Sequence, residues 1–220
     1  MDIELQDEIK KTTSYYNLYN SIKRLLDVLI SIIFFILFIP IMLIIKILFI
    51  YTKDYNTIFY TQERIGKNGK KFEIYKFRTM VYNSDKVLKQ LLKEKKYKEE
   101  WKIQRKLKDD PRVTKIGKFL RKTHIDELPQ VINVLKGDMS IIGPRPLIEN
   151  ELDDYKGNHE LYESIKPGMS GWWAVNGGND ISGTKRLELE YYYIENYNFL
   201  LDIKIVAKTI KLVFNKLLNK

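Results

Sequence analysis

From Val28 to Ile45 the chain reads VLISIIFFILFIPIMLII, without a charge, bracketed by Lys23, Arg24 and Asp27 before it and by Lys46 and Lys53 after it. Crossing a ~30 Å hydrocarbon core takes about 20 apolar residues in helical form, so this run has membrane-competent length. It does not read as a cleavable signal: a polar stretch precedes it, a signal's apolar region is only ~7–15 residues long, and no small-residue cleavage site follows. The segment is expected to stay attached as an anchor.

Pro40 falls inside the run. It lacks an N–H, its ring clashes with the carbonyl four residues back, and it biases Ile39 away from helical dihedrals, so a kink or break is expected at Ile39-Pro40. In lipid the freed backbone groups need internal partners, which leaves a kinked span or a helix-break-helix that dips in and returns. A true span carries its basic residues mainly on one side. Here Lys10, Lys11, Lys23 and Arg24 lie before the segment and Lys46, Lys53, Arg64 and Lys67 after it, which favours the re-entrant form.

The remainder is polar but not disordered, because 45% hydrophobic and 13% aromatic residues over 220 positions supply enough apolar surface for a core. A formal charge of +10 narrows partners to anionic ones: phospholipid headgroups, phosphorylated substrates or nucleic acid. No nucleic-acid recognition motif is present. The absence of cysteine excludes disulfides, thiolate chemistry and cysteine-bound zinc, and His124 and His159 are too few for a three-histidine metal site. Phe59 to Met80 contains two β-rich stretches around Asn68-Gly69, a pair suited to a hairpin turn with positive φ. Ser84 to Asp110 reads as amphipathic, lysine-rich helix. The C-terminal stretch sets Lys204, Lys208 and Lys211 opposite Ile203, Val206, Ile210, Val213, Phe214 and Leu217; periodicity alone fits an interfacial helix and a core helix equally well. Trp172, Trp173 and Tyr191 to Tyr193 fit headgroup-level rings or core packing. The fold class expected is α+β, mainly helical: an N-terminal tail (1–22), a re-entrant membrane hairpin (23–53), a cytosolic domain (54–199) containing a small β-hairpin, and a basic amphipathic helix (200–220).

Asp110 to Pro146 concentrates functional residue types, with adjacent carboxylates Asp126 and Glu127 among Arg112, Lys115, Lys118, Arg121, Lys122 and Arg145. Taken in isolation, Thr123-x-x-Asp126 matches a helix capping box, in which Asp126 would only satisfy a backbone donor. Pro129 fits the first turn of a helix. Gly143-Pro144-Arg145-Pro146 reads as a rigid turn that fixes one guanidinium.

Seven stretches in order carry a family resemblance: Lys23-Arg24-x-x-Asp27, Gln62-Glu63-Arg64-Ile65-Gly66, Tyr75-Lys76-Phe77-Arg78-Thr79-Met80, Asp110-Pro111-Arg112, Asp126-Glu127-Leu128-Pro129-Gln130, Lys136-Gly137-Asp138-Met139-Ser140 and Gly143-Pro144-Arg145-Pro146. Together they resemble the bacterial sugar transferases, monotopic polyprenyl-phosphate phosphoglycosyl transferases, in their small catalytic-core form. The resemblance implies transfer of a sugar-1-phosphate from a UDP-sugar to undecaprenyl phosphate with release of UMP, the first membrane step of exopolysaccharide, capsule or other glycoconjugate synthesis. It implies Asp126 as the nucleophile that forms an aspartyl phosphosugar and Glu127 as the carboxylate that holds Mg2+. Arg121, Arg145 and Pro144, with Arg78 and Arg112 as further candidates, would bind substrate phosphates. The implied surroundings are membrane lipids at the bacterial inner membrane, with the catalytic domain on the cytosolic face and downstream glycosyltransferases as partners; no nucleic acid is involved.

Three positions depart from the pattern that the resemblance implies. Ile39 stands where relatives often have serine before the proline, and His124 where serine is common beside the dyad. Gly178 occupies a usual arginine position, whose cationic contact Lys185 or Arg186 could supply. A competing reading, a non-catalytic membrane-anchored basic adaptor, would explain the charge and the anchor but has no use for the Asp126-Glu127 pair.

Overall fold

The computed structural model describes residues 3–104, 107–181 and 183–218, with side chains left aside at 3–13, 102–104, 179, 216 and 217. It begins with α1 (Ile3–Tyr51), a helix that continues through Ile39 and Pro40 without an interruption. The break expected there is therefore not seen. Proline removes one donor, whereas opening the helix would strand several backbone groups in an apolar setting. Phe38 on one side of Pro40, and Ile41 and Met42 on the other, also pack into one hydrophobic cluster that holds both flanks.

One stripe of α1 faces the protein along its whole apolar length: Asp27, Ser31, Phe38, Ile45 and Phe49 are buried. The other faces are exposed and oily, with Ile36 62% and Ile47 64% accessible. The upstream end is tied by charge. Arg24 donates Nη1 to the Val134 carbonyl at 2.6 Å and Nη2 to the Leu135 carbonyl at 3.0 Å, capping the orphan carbonyls at the end of α5 (Val131–Lys136). Asp27 accepts the Ile141 N–H at 2.9 Å in β3 (Ser140–Ile142). Lys23 pairs with Asp202, which also accepts Tyr19 Oη and Tyr193 Oη at 2.7 Å each. The Lys23-Arg24-x-x-Asp27 motif is thus a docking clasp.

β1 (Phe59–Ile65) and β2 (Lys71–Phe77) form the expected antiparallel hairpin, with Ile65 opposite Lys71 and positive φ at both Asn68 and Gly69. It seats on α1 through stacked rings, Phe38 against Phe77 and Phe59 against Phe77, each with centroids 5.6 Å apart. The lysine-rich region forms α2 (Ser84–Leu91) and α3 (Lys95–Gln104). α4 (Lys115–Thr123) follows, then a 3-10 turn (Ile125–Gln130), α5 and β3. α6 (His159–Tyr162) precedes β4 (Gly168–Ser170), which pairs in parallel with β3; α7 (Trp172–Val175), α8 (Gly183–Asn196) and α9 (Phe199–Leu218) complete the chain. The second, parallel pair is an addition to the expected single hairpin: three-residue strands carry too little alternation to register in a sequence.

α9 packs one face on the body and leaves an apolar face exposed. Leu201 and Ile205 are buried against the body while Leu200, Ile210 and Phe214 are exposed. Lys204 and Lys208 turn inward, 5.3 and 4.8 Å from the Trp172 ring centroid, and Lys208 donates to Asn176 Oδ1 at 2.6 Å. Trp173 and Tyr193 are core residues, whereas Tyr192 is exposed.

Candidate active site

α4 starts on Thr114, whose hydroxyl accepts the Gly117 N–H at 2.9 Å, a standard N-cap. Gly117 lies against Thr79, just past β2: a Cβ there would fall 1.9 Å from the Thr79 carbonyl oxygen, so only glycine permits this approach. One turn later Arg121 donates Nε to Thr79 Oγ1 at 2.9 Å. The helix stops at Thr123, whose hydroxyl donates back to Phe119 and Leu120 carbonyls at 2.9 and 3.1 Å. The capping-box expectation is corrected here: Thr123 closes a helix instead of opening one, and Asp126 caps nothing. His124 adopts φ 57°, reverses the chain and launches the 3-10 turn that carries Asp126 and Glu127. Pro129 sits inside that turn, two residues ahead of α5.

The two carboxylates, adjacent in sequence, are shifted in opposite directions. Burial, and then the neighbouring Glu127 charge, push the Asp126 carboxyl up to about 6, against the opposing pull of Lys76 and Arg121. Burial works most strongly to raise Glu127, but Lys76, His124 and Arg145 together outweigh it, and the net shift is downward. Lys76, the penultimate residue of β2, donates Nζ to Glu127 Oε1 at 2.5 Å. Near neutral pH Glu127 is a fixed anion, and Asp126 is a carboxylate that titrates close by.

Arg145 reaches the same place from the Gly143-Pro144-Arg145-Pro146 turn. The turn is laced to β4: Gly143 donates to the Ser170 carbonyl at 2.9 Å and Gly168 to the Pro144 carbonyl at 2.8 Å. The Arg145 backbone is held at both ends, its N–H on Glu190 Oε1 at 3.2 Å and its carbonyl under Tyr162 Oη at 2.9 Å. Its guanidinium lies 5.5 Å from the Trp173 ring centroid and its Nε has no hydrogen-bond partner. Arg186 lies 5.1 Å from the same ring and donates to Glu151 Oε1 at 3.0 Å. Burial pushes the Glu190 carboxyl up to about 7, opposed by the Arg145 N–H and the two guanidiniums.

The structure therefore gathers Asp126, Glu127, Arg121 and Arg145 around one centre, with Pro144 fully buried behind Arg145. Arg78 and Arg112 are engaged elsewhere. Arg78 donates to the Thr57 and Met80 carbonyls, pairs with Asp54 at 2.9 Å and covers the Phe49 ring. Arg112 forms a two-pronged pair with Asp110, at 2.9 and 2.7 Å, and lies over Trp101. Sequence reasoning gave Lys76 little weight and missed Thr79, Tyr162 and Glu190. One signal was available for Glu190: Arg186 and Glu190 share a face of α8 with Leu187, Tyr193 and Ile194, so charges occupy apolar-face positions. A Cβ at Gly178 would meet nothing within 4 Å, and Arg186, like Arg145, lies over the Trp173 ring.

For a metal, the donor set offers carboxylate oxygens from Asp126 and Glu127, and no group of three or more His, Cys, Asp or Glu suited to a metal exists among the described residues. Such a set fits Mg2+, which retains waters and shares substrate phosphates, and not a metal that needs a full protein cage.

The model of the family described as "Bacterial sugar transferase" matches residues 18–216. The chain is 41% identical to the undecaprenyl-phosphate galactose phosphotransferase of Salmonella typhimurium over 98% of its own length but 44% of that protein. It is 45% identical to the exopolysaccharide production protein ExoY of Sinorhizobium fredii, over 87% of this chain and 84% of that one. It is 39% identical to the UDP-N-acetylgalactosamine-undecaprenyl-phosphate N-acetylgalactosaminephosphotransferase of Aeromonas hydrophila, over 89% of this chain and 44% of that protein. The chain thus spans less than half the length of two of these relatives and most of the third. With the family match extending from α1 to α9 and taking in every residue of the dyad site, the chain belongs to the bacterial sugar transferase family.

Proposed function

We propose that this protein transfers a sugar-1-phosphate from a UDP-sugar to undecaprenyl phosphate at the cytosolic face of the bacterial inner membrane, through a covalent intermediate on Asp126. The names of the Salmonella and Aeromonas relatives support the reaction class and put galactose and N-acetylgalactosamine donors first among those to try. The observation that carries the reading is the adjacent Asp126-Glu127 pair in the field of Lys76, Arg121 and Arg145, with Lys76 bonded to Glu127.

In the first displacement an Asp126 carboxylate oxygen attacks the β-phosphorus of the donor. The bond to the bridging oxygen breaks and its electron pair leaves with UMP. In the second, a phosphate oxygen of the lipid attacks the same phosphorus, the acyl-phosphate bond breaks, and Asp126 returns as a carboxylate. Splitting the transfer keeps two anionic substrates from meeting directly. On this reading Arg145 and Arg121 take phosphate oxygens through their guanidinium groups, a role supported by their charge beside the dyad. Glu190 and Tyr162 fix the Arg145 backbone so that its head group is aimed before substrate arrives. Mg2+, held by Glu127, would neutralise diphosphate charge when bound.

The placement of α1 supports a monotopic arrangement. Residues at both ends of its apolar run, Arg24 and Asp27 upstream and Ile45 and Phe49 downstream, pack on the same polar body. A helix spanning ~30 Å of hydrocarbon leaves one end on the far side of the bilayer, away from such a body. We infer that the segment dips and returns, bent at Pro40 with its helical hydrogen bonding largely kept, and that the exposed apolar face of α9 rests at the same interface.

The test is UMP release by the purified chain from a panel of UDP-sugars with Mg2+ and no lipid acceptor. A stoichiometric burst of UMP, with a phosphosugar adduct mapped to Asp126 and lost in Asp126→Asn, is expected. UMP that appears only once undecaprenyl phosphate is added, with no adduct, would refute the two-step route.

A further inference from the structure

Glu127 already has a cation on it. Lys76 Nζ lies 2.5 Å from Oε1, and His124 and Arg145 add positive potential from other directions. Lys76 cannot withdraw by a shift of its backbone: β2 is paired to β1 in continuous register, and the next residue, Phe77, is 1% exposed in the cluster on α1. Only its flexible four-carbon stem can move the ammonium, and side-chain rotation in a partly exposed group is fast. Two cations at one carboxylate oxygen repel strongly at the effective dielectric of a partly buried site. The ammonium also favours the charged form of Asp126, a second anion in its field.

We propose that Lys76 is the resident counter-ion of Glu127, and that a divalent cation has to displace it. The cation by itself then binds weakly, and it binds well together with a diphosphate, whose negative charge takes up the freed ammonium. Lys76 is on this account a positioning residue that couples the arrival of metal to the arrival of donor. The inference rests on the reading of Glu127 as the metal-holding carboxylate.

The experiment is Mn2+ binding by the full chain in lipid nanodiscs, followed by the electron paramagnetic resonance signal of free Mn2+, with and without UDP. Lys76→Met is expected to bind Mn2+ alone about tenfold more tightly than the wild type, as removal of one repelling charge at contact distance implies. Lys76→Arg, which keeps the charge, should stay weak, and it guards against a packing artefact. In a Glu127→Gln background the gain from Lys76→Met should vanish, which a double-mutant cycle reads directly. After correction for Mn2+ held by free nucleotide, UDP should strengthen Mn2+ binding more in the wild type than in Lys76→Met. Equal or weaker Mn2+ binding by Lys76→Met, with binding still lost in Glu127→Gln, overturns the displacement and leaves Glu127 as the metal carboxylate. Wild-type binding by Glu127→Gln overturns that assignment and this inference with it. A gain that persists in the Glu127→Gln background reduces Lys76 to a general field effect and also overturns it.

Discussion

At Asp126 the raised ionisation range has two separate consequences. The reactive form of a carboxylate nucleophile is the anion, so the acceptor-independent UMP burst should fall away on the acid side with a midpoint near pH 6. Arg121 favours the anion, so Arg121→Gln should move that midpoint to higher pH as well as slow the burst. An unmoved limb in Arg121→Gln would mean that another group controls it. The second consequence is for stability. A carboxyl whose folded range lies above its unfolded one opposes folding once ionised. That penalty is complete above about pH 6 and disappears only as pH falls below the ordinary value of 3.8, where the group is neutral in both states. Asp126→Asn should therefore be more stable than the wild type by about 1–2 kcal/mol at pH 7.5, after allowance for solvent screening, and equal to it at about pH 3. Thermal melts at the two pH values check this, and an advantage that grows toward acid would contradict the burial assigned to Asp126. Little of this state was legible beforehand. Thr123-x-x-Asp126 looks like a cap because residue types alone do not say which side of a helix end they fall on; His124 at positive φ puts the dyad past a C-terminus. The contacts that set the field, Lys76 to Glu127 and Glu190 to Arg145, join residues far apart in sequence, where no periodicity operates.

Among the elements, those with strong local chemistry could be read directly. The β1-β2 hairpin follows from Asn68-Gly69 between β-rich stretches, and α1 from sheer apolar length. The continuity of α1 through Pro40 could not, because it depends on the hairpin rings that grip Phe38. The placement of α4 depends equally on a partner: its first turn sits directly on the Thr79 carbonyl, which also accepts the Thr114 N–H at 3.1 Å. Gly117→Ala would drive a Cβ into that oxygen, so α4 must lift and carry Arg121 off Thr79. The expected result is a loss of about 1–3 kcal/mol in stability, the range for overpacking, together with a slower UMP burst. Lys118→Ala, on the exposed side of the same helix, should stay within about 0.5 kcal/mol of the wild type. Gly117→Ala melts superimposable on wild-type melts would show that α4 and the strand end are farther apart than described.

For the molecule as a whole, the decisive question is on which side of the bilayer the two ends of the apolar run emerge. The chain is free of cysteine, so single cysteines can be introduced as clean reporters. Leu18, upstream of the run, and Tyr55, downstream of it, are both exposed side chains, and Ile36 lies exposed in the middle of the oily face. If α1 dips and returns with its ends clasped to the body at Arg24 and Asp27 and at Phe49, Leu18→Cys and Tyr55→Cys should share one fate. A membrane-impermeant maleimide should label both in inverted vesicles and neither in intact spheroplasts. Ile36→Cys should resist the reagent in both preparations, because hydrocarbon excludes the thiolate that reacts. A spanning helix predicts the opposite pattern, with Leu18→Cys and Tyr55→Cys labelled from opposite sides. That outcome would refute the dip-and-return reading and would require the Lys23–Asp202 and Arg24–α5 contacts to open. The same geometry ties membrane topology to chemistry: the stripe of α1 that carries Phe38 and Phe49 is the floor on which β2 rests, and β2 delivers Lys76 to the dyad. A bend at Pro40 that held the floor at the headgroup boundary would place Asp126 where a water-soluble nucleotide sugar and a lipid phosphate can both reach it.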